Sequence, residues 1–129
     1  MNLDRLTITL PWPDMSLMPN RKNGRHWGGV HDAKVRALSD GRNAALAALG
    51  RNAMPRGGRM PVRITFASPD RRRRDIDNLL ACIKPHLDGI AGALGVDDSL
   101  FRPILIDDAH DADRRGFVLV EITAGDAHA

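Results

Sequence analysis

Leu6, Ile8 and Leu10 alternate with Arg5, Thr7 and Thr9, the period-two pattern of a strand with one buried face, and Pro11-Trp12-Pro13 ends it. Residues 14–30 are rich in Pro, Asn, Gly and basic side chains and read as a long loop, which in a small domain points to function or disorder. From Asp32 to Leu49 the Ala/Leu-rich chain predicts a helix, with Leu38, Ala45 and Leu49 at helical spacing and Gly50 as its stop. Gly41 weakens it internally by about 1 kcal/mol relative to Ala. After a connector over 51–60, Val62, Ile64 and Phe66 alternate with Arg63 and Thr65 in a second strand that runs into Ser68-Pro69-Asp70. From Ile76 onward, Leu79, Ile83, Leu87, Ile90 and Leu94 form one apolar stripe, so an amphipathic helix is expected up to Gly95, kinked at Pro85. Leu100–Ile106 and Phe117–Ile122 read as two further strands joined by an acidic turn over 107–116. The order β-α-β-α-β-β predicts an α+β fold, a mixed sheet flanked by helices, in one domain over residues 1–129.

Composition narrows the class. A chain of 129 residues with 43% apolar and 27% charged positions has enough apolar content for a core and is not the composition of a disordered chain. Cys82 stands alone, which excludes an intramolecular disulfide framework and a Cys-rich zinc site, and it reads as a small packing residue. No apolar run approaches the ~20 residues of a membrane span, and the N-terminus lacks a basic segment followed by a long apolar one. The expectation is a soluble, cytoplasmic domain.

Charge changes the picture more. The net charge is only +3, but residues 1–74 carry 15 basic and 5 acidic side chains, whereas residues 75–129 carry 4 basic and 11 acidic ones. The boundary falls between Arg74 and Asp75, inside the continuous run RRRRDIDN. Such asymmetry points to an anionic polymer or surface as partner.

The seam is also where the candidate chemistry lies. Asp75 and Asp77 are two apart, which puts both carboxylates on one face if the segment is extended. Asp97 and Asp98 follow the helix that Asp77 begins, and a straight helix of about 18 residues would hold its ends roughly 27 Å apart. The two acidic pairs converge only if strands bring Asp98 back toward the helix start, a return that the kink at Pro85, with Gly89 and Gly92, makes easier. If they do, their mutual repulsion calls for a cation, and an all-oxygen donor set favours Mg²⁺ or Mn²⁺ over Zn²⁺. Taking about 100° per residue, Asp77, Ala81, Lys84 and Asp88 share one narrow strip opposite the apolar stripe, so Lys84 faces the same side as the carboxylates. Metal carboxylates, a lysine and the arginines Arg71, Arg72, Arg73 and Arg74 are the parts that phosphodiester hydrolysis uses.

The stretch PDRRRRDIDNLLACIKPHLDGIAGALGVDDS resembles the signature of the RusA family of Holliday-junction resolvases, and ITLPWP and PNRKNGRHW resemble that family's N-terminal region. Together they cover about two-thirds of the chain. The resemblance implies a Mg²⁺-dependent homodimeric endonuclease that nicks four-way DNA junctions symmetrically, with Mn²⁺ as a possible substitute, leaving 5′-phosphate and 3′-hydroxyl ends. It implies catalytic roles for Asp75, Asp77 and Asp98 and assigns metal binding to Asp75, Asp77, Asp97 and Asp98. The sequence departs from the pattern at one point. The family lysine four residues after the second motif aspartate is Ala81 here, and Lys84, one turn further on, is carried over as the catalytic lysine.

Other readings stand beside these. Asp75 and Asp77 would also serve as helix caps, Asp97-Asp98 as a plain turn, and the arginines as a solvated run. Asn20, Arg21 and Arg25 read as DNA-backbone contacts, and His26 and Trp27 either stack on bases or pack their loop onto the domain. Asp107, Asp108, His110, Asp111 and Asp113 form an acidic cluster that matches nothing in the family. Pro69-Asp70 opens a PD-(D/E)xK-like string, but Cys82 stands where that motif needs an acid before Lys84. The rival to the nuclease is a non-catalytic junction-binding protein with a degraded metal site, and a second is a nucleic-acid-associated interaction module.

Overall fold

The alternating segments form a four-stranded sheet: β1 (Arg5–Pro11), β2 (Val62–Ser68), β3 (Ile104–His110) and β4 (Phe117–Thr123). The computed structural model describes residues 3–18, 27–54 and 57–125, residues 27–29 by backbone alone. The strand order is β1-β4-β2-β3, with β4 antiparallel to both β1 and β2 and with β3 parallel to β2. The register aligns Leu6, Ile8 and Leu10 with Ile122, Val120 and Val118, and these with Val62, Ile64 and Phe66. All nine are almost wholly buried and make one continuous apolar sheet face. Two helices, α1 (Trp27–Leu49) and α2 (Ile76–Leu94), add Ala45, Leu79, Ile83, Leu87, Ile90 and Leu94 to that core, and Met54, Met60 and Phe101 join it from connecting segments. Parallel strands need a crossover, and α2 supplies it between β2 and β3. The expected order and α+β class hold.

Three local expectations need correction. The first helix begins at Trp27 rather than Asp32, so the end of the expected loop is helical despite Gly28 and Gly29. Leu38 faces outward, while the inner face of α1 is built from Ala33, Ala37, Gly41 and Ala45 at four-residue spacing. These small residues let α1 approach α2 backbone to backbone: a Cβ on Gly41 would sit 2.1 Å from the His86 carbonyl oxygen, and one on Gly89 2.0 Å from that of Leu38. The third strand is Ile104–His110, not Leu100–Ile106. Asp98–Leu100 is a 3-10 turn, and Pro103 precedes the first paired residue, Ile104, so Asp107, Asp108 and His110 lie in the strand. An edge strand exposed along nearly its whole length tolerates, and is protected by, such charges.

The helix α2 runs unbroken through Pro85, so the expected kink does not interrupt it. It stops at Gly95, whose φ of 70° and ψ of 32° place it in the left-handed region while its N–H donates to the carbonyls of Ala91 and Gly92. That reversal turns the following chain back along the helix. Among the described residues no helix is long and apolar enough to cross a membrane.

Candidate functional site

The site begins where β2 ends and α2 starts. Asp70 folds the arginine run into a fixed loop: its carboxylate accepts from the Arg72 backbone N–H at 2.9 Å and from the Arg74 guanidinium at 2.9 Å. The Arg72 N–H, followed by the Arg74 interactions, outweighs desolvation and holds the Asp70 carboxyl below its ordinary value. Arg74 is the least exposed of the four arginines, at 12% of its side chain. It also donates to the Arg72 carbonyl at 3.2 Å and lies 5.2 Å from the Trp12 ring centre. It braces the loop, whereas Arg71, Arg72 and Arg73 point to solvent. The loop is flanked by two surface hollows. One, of about 380 Å³, lies beside Asp75 and Asn78, and the other, of about 270 Å³, is bordered by Asp108 and His110 at the carboxyl end of β3.

Asp75 occupies the N-cap position of α2, yet its side chain makes no capping hydrogen bond. Among the described residues its Oδ2 accepts only a long hydrogen bond from the Asn78 amide, at 3.5 Å. A carboxylate at a helix start that caps nothing is available for another role. Asp77 lies in the first turn and is exposed.

Further along the same helix, the return of the chain after Gly95 brings Asp98 against Lys84, fourteen residues earlier in sequence. Lys84 Nζ donates to Asp98 Oδ2 and, at 2.8 Å, to Asp88 Oδ1. Burial alone would lower the lysine pKa, but the hydrogen bonds to Asp88 and Asp98 outweigh it, and the ammonium sits above the usual lysine value. The same contact with Lys84, opposed by desolvation and aided by Asp88 and Asp97, holds Asp98 below the usual carboxylate value. Asp97 caps the 3-10 turn, its Oδ1 accepting from the Ser99 N–H at 2.9 Å. The chain does fold back after Gly95, through the left-handed reversal and this turn rather than through a bend at Pro85, but the return stops short of Asp75 and Asp77. It delivers Asp98 to the middle of α2, about 10 Å along the axis from Asp77.

The donor chemistry fits a hard divalent cation, since every candidate ligand is a carboxylate oxygen. Among the described residues, however, no three acidic, His or Cys side chains are grouped closely enough to hold a metal ion, and Asp98 is engaged by Lys84. Asp75 and Asp77 stand at one end of the strip, with Asp98, Lys84 and Asp88 in its middle.

Asn20, Arg21, Arg25 and His26 lie outside the described residues, and Trp27 opens α1. Sequence reasoning passed over three residues that shape the site. Asp88 was visible on the strip of Lys84, Asp70 was visible only inside a rejected motif, and Trp12 stood in the strand-ending Pro-Trp-Pro. In the acidic cluster, Asp111 accepts from the N–H groups of Asp113, Arg115 and Gly116 and so ties the β3–β4 turn. Asp107 pairs with Arg63 across the strands at 3.2 Å. Cys82 is fully buried in a small cluster with Leu17, Ala33 and Ala37, as expected of a packing residue.

No family model matches the chain. It is 38% identical over 123 residues to an uncharacterized protein of Xylella fastidiosa (strain Temecula1 / ATCC 700964), a match that spans 91% of this chain and 75% of the relative. The chain belongs to the same family as that Xylella fastidiosa protein.

Proposed function

We propose that the chain is a Mg²⁺-dependent endodeoxyribonuclease of the RusA type, acting in the cytoplasm as a homodimer that resolves four-way DNA junctions by paired nicks. The observation that carries this reading is the return of Asp98 to the Lys84 face of α2, the helix that also presents Asp75 and Asp77 directly after the arginine loop. Arg71 and Arg73 extend into solvent and Arg72 makes an exposed 3.6 Å ion pair with Asp70, so all three can reach the DNA backbone, and the ordered loop under them, fixed by Asp70 and Arg74, lowers the entropy lost on gripping it. Asp75, Asp77 and Asp98, with Asp97 beside them, would hold Mg²⁺ or Mn²⁺. When bound, the cation would supply charge neutralisation at the scissile phosphate and an activated water.

Lys84, kept protonated by its two carboxylates, would turn from Asp98 toward the phosphate and offset charge there. Water oxygen bonds to phosphorus as the P–O3′ bond breaks, giving 5′-phosphate and 3′-hydroxyl ends. Two equivalent strands of a junction call for two equivalent sites, which a twofold dimer provides. Val35, Leu38 and Leu46, exposed along one face of α1, are apolar surface of the kind a second copy would cover.

Two observations favour a second reading, a junction-binding protein that does not cut. The carboxylates are not gathered into one cluster among the described residues, and Ala81 stands where the family places its lysine. Incubating the protein with a labelled synthetic four-way junction, with and without Mg²⁺ and beside Asp77→Asn, separates the two. The nuclease gives paired, metal-dependent nicks that the variant lacks. Junction binding without nicks at any Mg²⁺ or Mn²⁺ concentration would sink the nuclease and leave the binding protein.

A further inference from the structure

On the far side of α2 from Lys84 the core contains a polar group that none of the chemistry above uses. His86 follows Lys84 by two positions, about 200° around the helix, and is the sole buried polar side chain among the described residues, only 3% exposed. Among the described residues its Nδ1 has no hydrogen-bond partner, which in a native core calls for an occupant such as a water, an ion or a ligand group. His86 lines a cavity of about 260 Å³ between the end of β1, the 3-10 helix Met15–Leu17 and the inner face of α1. Trp12 forms one wall, and Asp40 and the Asp14–Arg36 ion pair, at 3.7 Å, are among its other lining residues. A cavity of roughly 150 Å³ already accepts a benzene ring, so this one admits a nucleobase.

The surroundings select the occupant further. Burial lowers the His86 pKa against the opposing field of Asp40, so the ring is neutral and presents one donor and one acceptor. The Asp40 carboxylate only accepts, which suits an exocyclic amino group and repels a carbonyl edge. The Trp12 indole supplies an aromatic wall. Trp12 is also the ring over which the Arg74 guanidinium lies, so the cavity and the arginine loop share a wall. Junction branch points present bases whose stacking is already weakened, for which turning out costs least.

We propose that this cavity is a base-reading pocket that takes a single nucleobase bearing an exocyclic amino group, turned out of the DNA beside the branch point. The proposal rests on the nucleic-acid reading above and adds to it a source of sequence preference.

The test follows the His86 imidazole and Trp12 indole resonances of the full chain while short single strands of dC, dT and abasic sugar-phosphate of equal length are added. The dC strand shifts both resonances, the abasic strand shifts neither, and dT binds more weakly by about 5- to 150-fold, the range of one base-edge hydrogen-bonding contact. Asp40→Ala, a change on the exposed side of α1 that leaves the helix intact, erases the difference between dC and dT. Equal shifts with the abasic strand, or discrimination untouched by Asp40→Ala, would overturn the pocket. So would shifts that follow protein concentration rather than DNA, which would assign the cavity to a second copy. Base selectivity in a protein that nicks no junction would remove the nuclease and leave the pocket standing.

Discussion

Placing a methyl group where the two helices touch gives a direct trial of the packing that positions both faces of α2. Gly41→Ala would put Cβ 2.1 Å from the His86 carbonyl oxygen and 2.8 and 2.9 Å from its C and Cα. All three are backbone atoms, so no side-chain rotation relieves the clash. An ordinary carbon–oxygen contact is about 3.3 Å or more, so α1 and α2 would have to part by roughly 1 Å. Overpacking of this kind costs about 1–3 kcal/mol, with the upper end expected for a backbone clash, while the helix interior gains about 1 kcal/mol from losing a glycine. The net expectation is a loss of about 1–2 kcal/mol, or roughly 3–10 °C in Tm for a chain of this size. Gly89→Ala, whose Cβ would meet the Leu38 carbonyl oxygen at 2.0 Å, behaves alike. Gly92→Ala is the control: its Cβ meets nothing within 4 Å, and it stabilises by up to about 1 kcal/mol. Thermal and urea unfolding of the three variants reads the result. If Gly41→Ala stabilises as Gly92→Ala does, the close crossing is wrong, and with it the shape of the His86 cavity.

Lys84→Met is expected to slow junction nicking about 100-fold or more while junction affinity changes little, as gel-shift and cleavage assays on the same samples would show. Asp70→Ala releases Arg74 and loosens the arginine loop, so junction affinity falls in a gel-shift assay while circular dichroism shows the fold retained. The Lys84–Asp98 pair has a defined pH window. Asp98 is held below its ordinary 3.8, so its contribution to stability is complete above that value and lost as pH falls through the lower folded one. Lys84 is held above its ordinary 10.5, so its contribution is complete below that value and lost as pH rises through the higher folded one. Urea unfolding of wild type and Lys84→Met across pH should show a difference that is flat between the two limits and shrinks outside them. Sedimentation should give twice the 14.1 kDa chain mass, and a monomer at working concentrations would remove the twofold argument.

Much of the fold was legible because alternation and helical spacing are strong wherever one face is buried and the other wet. That describes β1, β2, β4 and α2, whose bounds at Ile76 and Leu94 match the apolar stripe and the Gly95 stop. The misreadings share a different cause. The inner face of α1 is made of Ala33, Ala37, Gly41 and Ala45, residues with little hydrophobic signal, and its weight comes from the close approach they permit, which only the partner helix reveals. The start of α1 crosses two glycines, which argue locally against a helix. In β3 the apolar letters of Leu100–Ile106 misled, because pairing with β2 begins after Pro103, and an exposed edge strand need not be apolar. At the candidate site, the strip of Asp77, Lys84 and Asp88 followed from helical geometry alone. The return of Asp98 depends on the left-handed Gly95 and the 3-10 turn, and the bracing of Arg74 by Asp70 and Trp12 depends on contacts that no spacing in the sequence encodes.

The central claim of the proposal is that Asp75, Asp77 and Asp98, which stand apart along α2 among the described residues, are drawn to one metal ion when a junction binds. Titration of Mn²⁺ into the wild type and into Asp75→Asn, Asp77→Asn and Asp98→Asn, in the presence of a four-way junction, tests it most directly. The expected result is saturable Mn²⁺ binding that weakens at least about 10-fold in each of the three variants, since each loses a charged oxygen ligand of the same ion. Mn²⁺ affinity unchanged by Asp98→Asn would contradict the account, leaving Asp98 as the structural partner of Lys84 alone.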